Sequence, residues 1–150
     1  MSLLPVSADP ADLELAQAVA CHDRNDRPQA MRGYRRAAAL SPWRVDAVGS
    51  VGLVATEIGD PAAARWLRRA LAIDPESVPA HHNLALVPHD QDERERGRVL
   101  RRLLTLAPAH VEGGRLLARL VTDLGNLSSA QIRLARALAA DPRSAPAWVA

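Results

Sequence analysis

The sequence predicts an all-α solenoid built from helix pairs. One observation is a phrase that recurs as RRAAALSP, RRALAIDP, RRLLTLAP and ARALAADP, starting at residues 35, 68, 101 and 135. Its closing prolines are 33, 33 and 34 residues apart. A second observation is that the residues before each proline place apolar side chains at i, i+4, i+7 and i+8, which is helical spacing. A repeat of this period is typical of a solenoid, in which stacked neighbours bury one shared core.

The apolar stripe marks the second helix of each repeat. It consists of Ala30, Tyr34, Ala37 and Ala38, then Ala63, Leu67, Ala70 and Leu71, then Arg96, Leu100, Leu103 and Leu104, then Ala130, Leu134, Ala137 and Leu138. Asn25 and Gly59 precede two of these helices and suit the left-handed backbone that ends a helix. Pro28 and Pro61 suit the first turn of the helix that follows. Gly125–Asn126 is predicted to form the equivalent turn of the fourth repeat.

One repeat is predicted to be irregular. Pro88 removes a backbone donor, so the first helix of the third repeat should be short. The segment PHDQDERERGR stands there in place of a compact turn. The predicted helices cover 10–23, 27–40, 44–58, 61–73, 77–87, 92–106, 110–124 and 128–140, with a further helix starting at 144.

The repeats resemble the tetratricopeptide repeat (TPR) family, whose pattern is W-x2-L-G-x2-Y, A-x3-F and P over about 34 residues. The pattern positions hold Val48, Val51, Gly52, Ala55, Ala63, Leu67 and Pro75 in the second repeat, Leu117, Ala118, Val121, Ala130, Leu134 and Pro142 in the fourth, and Ala18, Cys21, Ala30, Tyr34 and Pro42 in the first. The resemblance implies a right-handed α-solenoid of antiparallel helix pairs. We expect an extension at 1–9 and one TPR-like solenoid over 10–150, with repeats at 10–42, 43–75, 76–108 and 109–142 and a fifth from 143.

The resemblance also implies binding, with the first helices lining a concave groove. Three rows of residues recur on these helices: Leu15, Gly49, His82 and Arg115; Val19, Leu53, Leu86 and Arg119; and His22, Thr56, His89 and Thr122. Asn83 adjoins the first row. The rows predict a groove that is apolar toward the N-terminal end and basic or polar toward the other. Such a groove suits an extended peptide or an amphipathic helix with an acidic end.

Two subtypes of the family lack support in the residues. A clamp for a C-terminal carboxylate uses lysines and asparagines, but all 19 basic residues are arginine. An asparagine on every groove helix accompanies sugar-transferring domains, yet the row through Asn83 otherwise holds Ala16, Ser50 and Leu116. The function predicted is a non-catalytic protein-interaction scaffold. The alternative is a substrate-recruiting domain of a larger glycosyl- or sulfotransferase-type enzyme.

Arginine pairs such as Arg35–Arg36 and Arg68–Arg69 are predicted to face away from the core. A solvated outer face is favoured over a phosphate-binding stripe, because no aromatic residue interleaves them in the sequence. Nucleic acid is therefore not predicted as a partner, in keeping with a net charge of only +2. Arg115 and Arg119 are either ligand-binding residues or local partners of Glu112 and Asp123 at helix-neighbour spacing.

Metal and catalytic sites are not predicted, and no cofactor is implied. The histidines His81, His82, His89 and His110 would have to converge on one point, whereas adjacent helical residues diverge by about 100°. Motifs of a Walker loop, HExxH or GxSxG are absent from the sequence. A single cysteine, the lack of a basic, apolar leader and the lack of an 18-residue apolar run predict a cytoplasmic protein outside the membrane.

The C-terminal segment carries one more expectation. Residues 143–150, RSAPAWVA, match the opening of another first helix, with Trp148 where the family has tryptophan. A helix this short is marginal alone, and an uncapped solenoid end exposes its stacking face. We therefore expect the chain to be part of a longer protein, with self-association through this end when it is not capped.

Overall fold

The structure is a computed structural model that describes residues 9–87 and 93–140, with side chains described up to residue 125. These residues form seven α-helices and no strand. The helices are α1 (Pro10–Asp23), α2 (Arg27–Leu40), α3 (Val45–Glu57), α4 (Ala63–Ile73), α5 (Val78–Leu86), α6 (Glu93–Leu106) and α7 (Val111–Ala140). Two compact units divide them: α1–α6 belong to Met1–His110, and α7 belongs to Val111–Ala150. The bounds of the first six helices agree with the predicted ones to within two residues.

Side-chain caps and prolines start α1, α2 and α5. The Asp9 carboxylate accepts a hydrogen bond from Ala11 N at 3.0 Å, and Asp26 accepts one from Gln29 N at 3.1 Å. Asp60 accepts from Ala62 N at 2.8 Å, so the residues around Pro61 form a turn that leads into α4. Each cap satisfies a backbone N–H that has no partner within its helix.

The predicted left-handed turns are present in the first two repeats. Asn25 has φ 64° and Gly59 has φ 70°, the positive values that end a helix sharply. After Asn25 the Asp26 N–H donates to Cys21 O at 2.9 Å, and after Gly59 the Asp60 N–H donates to Ala55 O at 2.8 Å. The same geometry in both repeats turns the chain back on itself, which makes each pair of helices antiparallel.

Within the first unit α1 packs on α2, α3 on α4 and α5 on α6, and α2–α3, α4–α5 and α3–α5 contacts stack the pairs. Whereas the side chains of the fourth stripe lie outside the described residues, the predicted stripe forms the buried side of α2, α4 and α6, with Leu71, Arg96 and Leu104 half-buried. Val48, Gly52 and Ala55 of α3 are buried opposite it. Cys21 packs against the same core, as its place in the repeat pattern predicts.

The fourth repeat differs from the prediction. The helices expected at 110–124 and 128–140 are one continuous helix, α7, and no turn forms at Gly125–Asn126. Unlike the first two turns, this one is not followed by a proline that would stop the helix, and Gly125 does not take a left-handed φ. Because no second helix folds back, the predicted packing residues Ala118 and Val121 are exposed, Val121 by 58%.

Some expectations fall outside the described residues. They concern the extension before Asp9, the segment with Pro88 and His89, and the fifth repeat from residue 143. In the part of the chain that is described, no helix combines the length and apolarity needed to span a membrane.

Candidate functional site

The candidate site is the predicted groove, a name kept here for the set formed by Leu15 and Val19 on α1, Gly49 and Leu53 on α3, and Leu86 on α5. These side chains lie opposite the buried faces of α3 and α5, which are Val48, Gly52 and Ala55 on α3 and Ala80, Leu84 and Ala85 on α5. Leu15 and Leu53 are half-buried, while Val19 and Leu86 are 44% and 39% exposed. Leu15 also packs against the core, so the apolar surface that this set presents to solvent is mainly that of Val19 and Leu86.

A cavity of about 280 Å³ opens on the groove between α3 and α5. It brings together three predicted site residues, Gly49, Leu53 and Asn83. Its remaining wall, which the sequence patterns did not single out, consists of Val45, Asp46, Ser50, Ser77, Pro79 and Ala80. Asp46 and Pro79 occur one turn before the first predicted row on their helices, so an earlier row at the same period would have found them.

Arg44 is hydrogen-bonded to Asp46, which is one of the wall residues of the cavity. Arg44 Nε donates to both carboxylate oxygens of Asp46, at 2.9 and 3.1 Å, and its terminal nitrogen forms an ion pair with Asp12. These hydrogen bonds to Asp46 and Asp12 raise the pKa of Arg44. The guanidinium thus ties the start of α3 to α1, and its charge is matched by two carboxylates.

A second cluster of polar side chains joins the C-terminal ends of α1 and α3. The carboxylate of Glu57 pairs with both His22 and Arg27. The distance from His22 Nε2 to Glu57 Oε2 is 3.0 Å. Beside this pair lies the buried phenol of Tyr34, whose ring meets that of His22 edge to face at 6.1 Å. Burial raises the pKa of Tyr34, the nearby carboxylates of Asp23 and Glu57 add to the effect, and a hydrogen bond with Ser50 partly offsets it. His22, which belongs to the third predicted row, therefore contacts Glu57 and Tyr34 within the protein.

Other residues of the predicted rows also form hydrogen bonds or ion pairs within their own helices. The hydroxyl of Thr56 donates to Gly52 O at 2.8 Å, and that of Thr122 to Ala118 O at 3.0 Å. On α7, Arg115 lies 3.4 Å from Glu112 and Arg119 lies 3.9 Å from Asp123. The structure thus forms the local pairs that were one of the two interpretations of these arginines.

The histidines that were considered as metal ligands lie in separate contacts. His81 is buried with its Nδ1 2.9 Å from Ser77 O, whereas the rings of His82 and His110 lie 4.8 Å apart between centroids. The His82–His110 contact joins residues distant in the sequence, so no local spacing could predict it. Among the described residues, no three His, Cys, Asp or Glu side chains are grouped to hold a metal ion.

The arginine pairs lie on the outer face, as predicted. Their side chains are exposed. Two of them bridge neighbouring repeats, Arg35 to Asp60 at 3.6 Å and Arg68 to Glu95 at 3.1 Å, and Arg102 pairs with Glu76 at 3.7 Å within the third repeat. Arg69 instead lies 5.5 Å from the ring of Trp66, an i,i+3 contact on α4 that helix-neighbour spacing allows and that the search for interleaved aromatic residues missed. Exposed pairs of this kind contribute about 0–1 kcal/mol each.

Solved structures similar to this chain are repeat domains. The TPR domain of Arabidopsis OM64 superposes with a TM-score of 0.70 at 17% identity, covering 73% of this chain and 93% of that one. The first TPR of Spaghetti (RPAP3), solved with the HSP90 peptide SRMEEVD, gives 0.75 at 14% identity over 82% and 99%. An O-GlcNAc transferase mutant of Thermobaculum terrenum gives 0.69 at 25% identity over 79% of this chain and 23% of the enzyme.

Sequence comparison adds no family: no family model and no curated protein matches the chain. The helix pairs, their shared core and the superpositions define an all-α repeat protein. Its fold is that of the tetratricopeptide repeat.

Proposed function

We propose that this protein is a non-catalytic scaffold that binds a peptide or a helix of a partner protein in the groove. The observation that carries the proposal is the cavity between α3 and α5, whose walls combine the half-buried apolar side chains of Val45 and Leu53 with the polar groups of Ser50 and Asn83. A preformed concavity with mostly apolar walls and a few polar groups is the usual form of a binding site. The peptide bound to a structural neighbour, Spaghetti (RPAP3), supports the same use of the fold.

The groove differs from one that would hold an acidic C-terminus. The chain contains no lysine, and the guanidinium of Arg44 is taken up by Asp12 and Asp46. The enzyme-associated alternative is not favoured, because the row through Asn83 otherwise holds Ala16, Ser50 and Leu116 in place of asparagine. We therefore place the ligand among peptides held by apolar contacts and backbone hydrogen bonds.

The test is selection of ligands from a random peptide library displayed on phage, followed by affinity measurements on the selected peptides. The double variant Leu53→Glu, Leu86→Glu should bind them at least about tenfold more weakly, because it places charge on apolar contacts. Leu40→Glu is the matched control, since Leu40 lies at the end of α2 and is 54% exposed. Normal binding by the double variant, with unchanged helical circular dichroism, would show that the groove is not the binding surface.

A further inference from the structure

Three glycines lie inside helices α2 and α3, and only two are required by packing. A Cβ at Gly33 would lie 2.7 Å from Ala18 Cβ, and a Cβ at Gly52 would lie 2.6 Å from Leu67 Cγ. At Gly49 the nearest atom would be Ala70 Cβ at 3.9 Å, an ordinary contact. Glycine within a helix lowers stability by about 1 kcal/mol relative to alanine, so Gly49 has a cost that the fold does not explain.

Gly49 lines the cavity between α3 and α5. A Cβ built at Gly49 has only Ala70 Cβ within 4 Å, so the core does not fill the space beside this part of the cavity wall. The volume lies just below the range of about 300–1,000 Å³ that is typical of small-molecule pockets, so the cavity has room for one large apolar side chain. Glycine at this position keeps that part of the wall open.

The residues of the cavity walls determine which kind of side chain can bind there. Val45, Leu53 and Pro79 are apolar, and Ser50, Ser77 and Asn83 are neutral. The single charged wall residue is Asp46, whose two carboxylate oxygens already accept hydrogen bonds from Arg44. A charged side chain entering the cavity would lose water without gaining a free counter-ion, which is unfavourable.

We infer that the α3–α5 cavity is a specificity pocket for one uncharged apolar side chain from the interior of a partner peptide, and that Gly49 is the residue that determines its depth. This inference rests on the proposed function and specifies its ligand. The peptide is anchored by an apolar side chain rather than by a carboxylate terminus.

The experiment uses the full chain and peptides selected from the same phage-displayed library, resynthesised with free and with amidated C-termini. Gly49→Leu fills the cavity and should weaken binding about tenfold or more, as expected when one apolar side chain loses its burial. Gly49→Ala should stay within about twofold, and Ala39→Leu, which adds the same bulk on the exposed face of α2, should have no effect. Amidation of the peptide should not change the affinity.

A double-mutant cycle assigns the contact. Replacing the apolar anchor of the peptide by alanine should weaken binding to the wild-type protein but not further weaken binding to the Gly49→Leu variant. Full affinity in the Gly49→Leu variant, a charged consensus at the anchor position, or loss of binding on amidation would overturn the inference. Any of these three outcomes, together with loss of binding in the double variant Leu53→Glu, Leu86→Glu, would contradict the specificity pocket but leave the proposed function intact. If the wild-type protein selects no peptide, both are wrong.

Discussion

Gly52→Ala tests the packing of α3 against α4, because a single methyl group is added where the helices are in closest contact. The new Cβ would lie 2.6 Å and 2.7 Å from Leu67 Cγ and Cδ2 and 3.2 Å from the backbone nitrogen of Leu67. Leu67 is fully buried, so its side chain has no free space into which it can move. The two helices must separate or Leu67 must leave its rotamer, and overpacking of this kind costs about 1–3 kcal/mol.

A second glycine, one turn away, supplies the matched control. Gly49→Ala adds the same methyl group to the same helix with 3.9 Å of clearance, so it should gain the helix propensity of alanine, about 1 kcal/mol. Gly52→Ala gains the same propensity but also incurs the overpacking. The free energies of unfolding of the two variants should therefore differ by about 1–3 kcal/mol, with Gly52→Ala the less stable.

The assay is thermal and urea unfolding followed by far-ultraviolet circular dichroism. For a chain of this size, 1 kcal/mol shifts Tm by about 2–4 °C, so the two variants should be separated by several degrees. Gly33→Ala should resemble Gly52→Ala, because its Cβ would lie 2.7 Å from Ala18 Cβ and 3.2 Å from the backbone of Ala18. Equal stability of Gly52→Ala and Gly49→Ala would refute the described approach of α3 to α4.

Two further predictions concern the core and its titration. Ala63→Leu should lower the free energy of unfolding by about 1–3 kcal/mol, because Ala63 is 1% exposed; an unchanged melt would contradict the repeat alignment. Burial raises the pKa of Tyr34 above its ordinary value of 10.0, so the native state retains the phenol proton at higher pH than the unfolded chain does. The resulting stability is complete below about pH 10 and is lost as pH rises through the native pKa. The chain has one tyrosine and no lysine, so Tyr34→Phe should remove most of the loss of stability that begins above about pH 10, measured by urea unfolding. The same decline in the variant would show that Tyr34 is not its source.

Much of the fold follows from local patterns in the sequence. Asn25, Gly59, Pro28 and Pro61 mark turns by the backbone angles that each residue allows, and the structure has positive φ at the first two. The apolar stripe fixes which side of each second helix is buried, because spacing along a helix determines direction around it. Gly125–Asn126 failed as a turn signal, since glycine and asparagine permit a turn but do not oblige the helix to end.

The candidate site was predicted less completely. Gly49, Leu53 and Asn83 were identified by their recurring positions, and the structure places all three on one cavity. The ion pairs of His22 with Glu57 and of Arg44 with Asp12 join residues 35 and 32 positions apart. No local spacing determines those distances, because they depend on how neighbouring helix pairs stack.

The sequence by itself determined the repeat, the helices of the first three repeats and the buried stripe, because each depends on residues within about ten positions of one another. Only the tertiary structure decided which glycines are held by packing and which one opens a cavity. Gly49 and Gly52 are the same residue type and lie three positions apart in α3, yet Leu67 lies against Gly52 and not against Gly49. That difference is set by the direction from which α4 approaches α3, and it leaves Gly49 at the wall of the cavity.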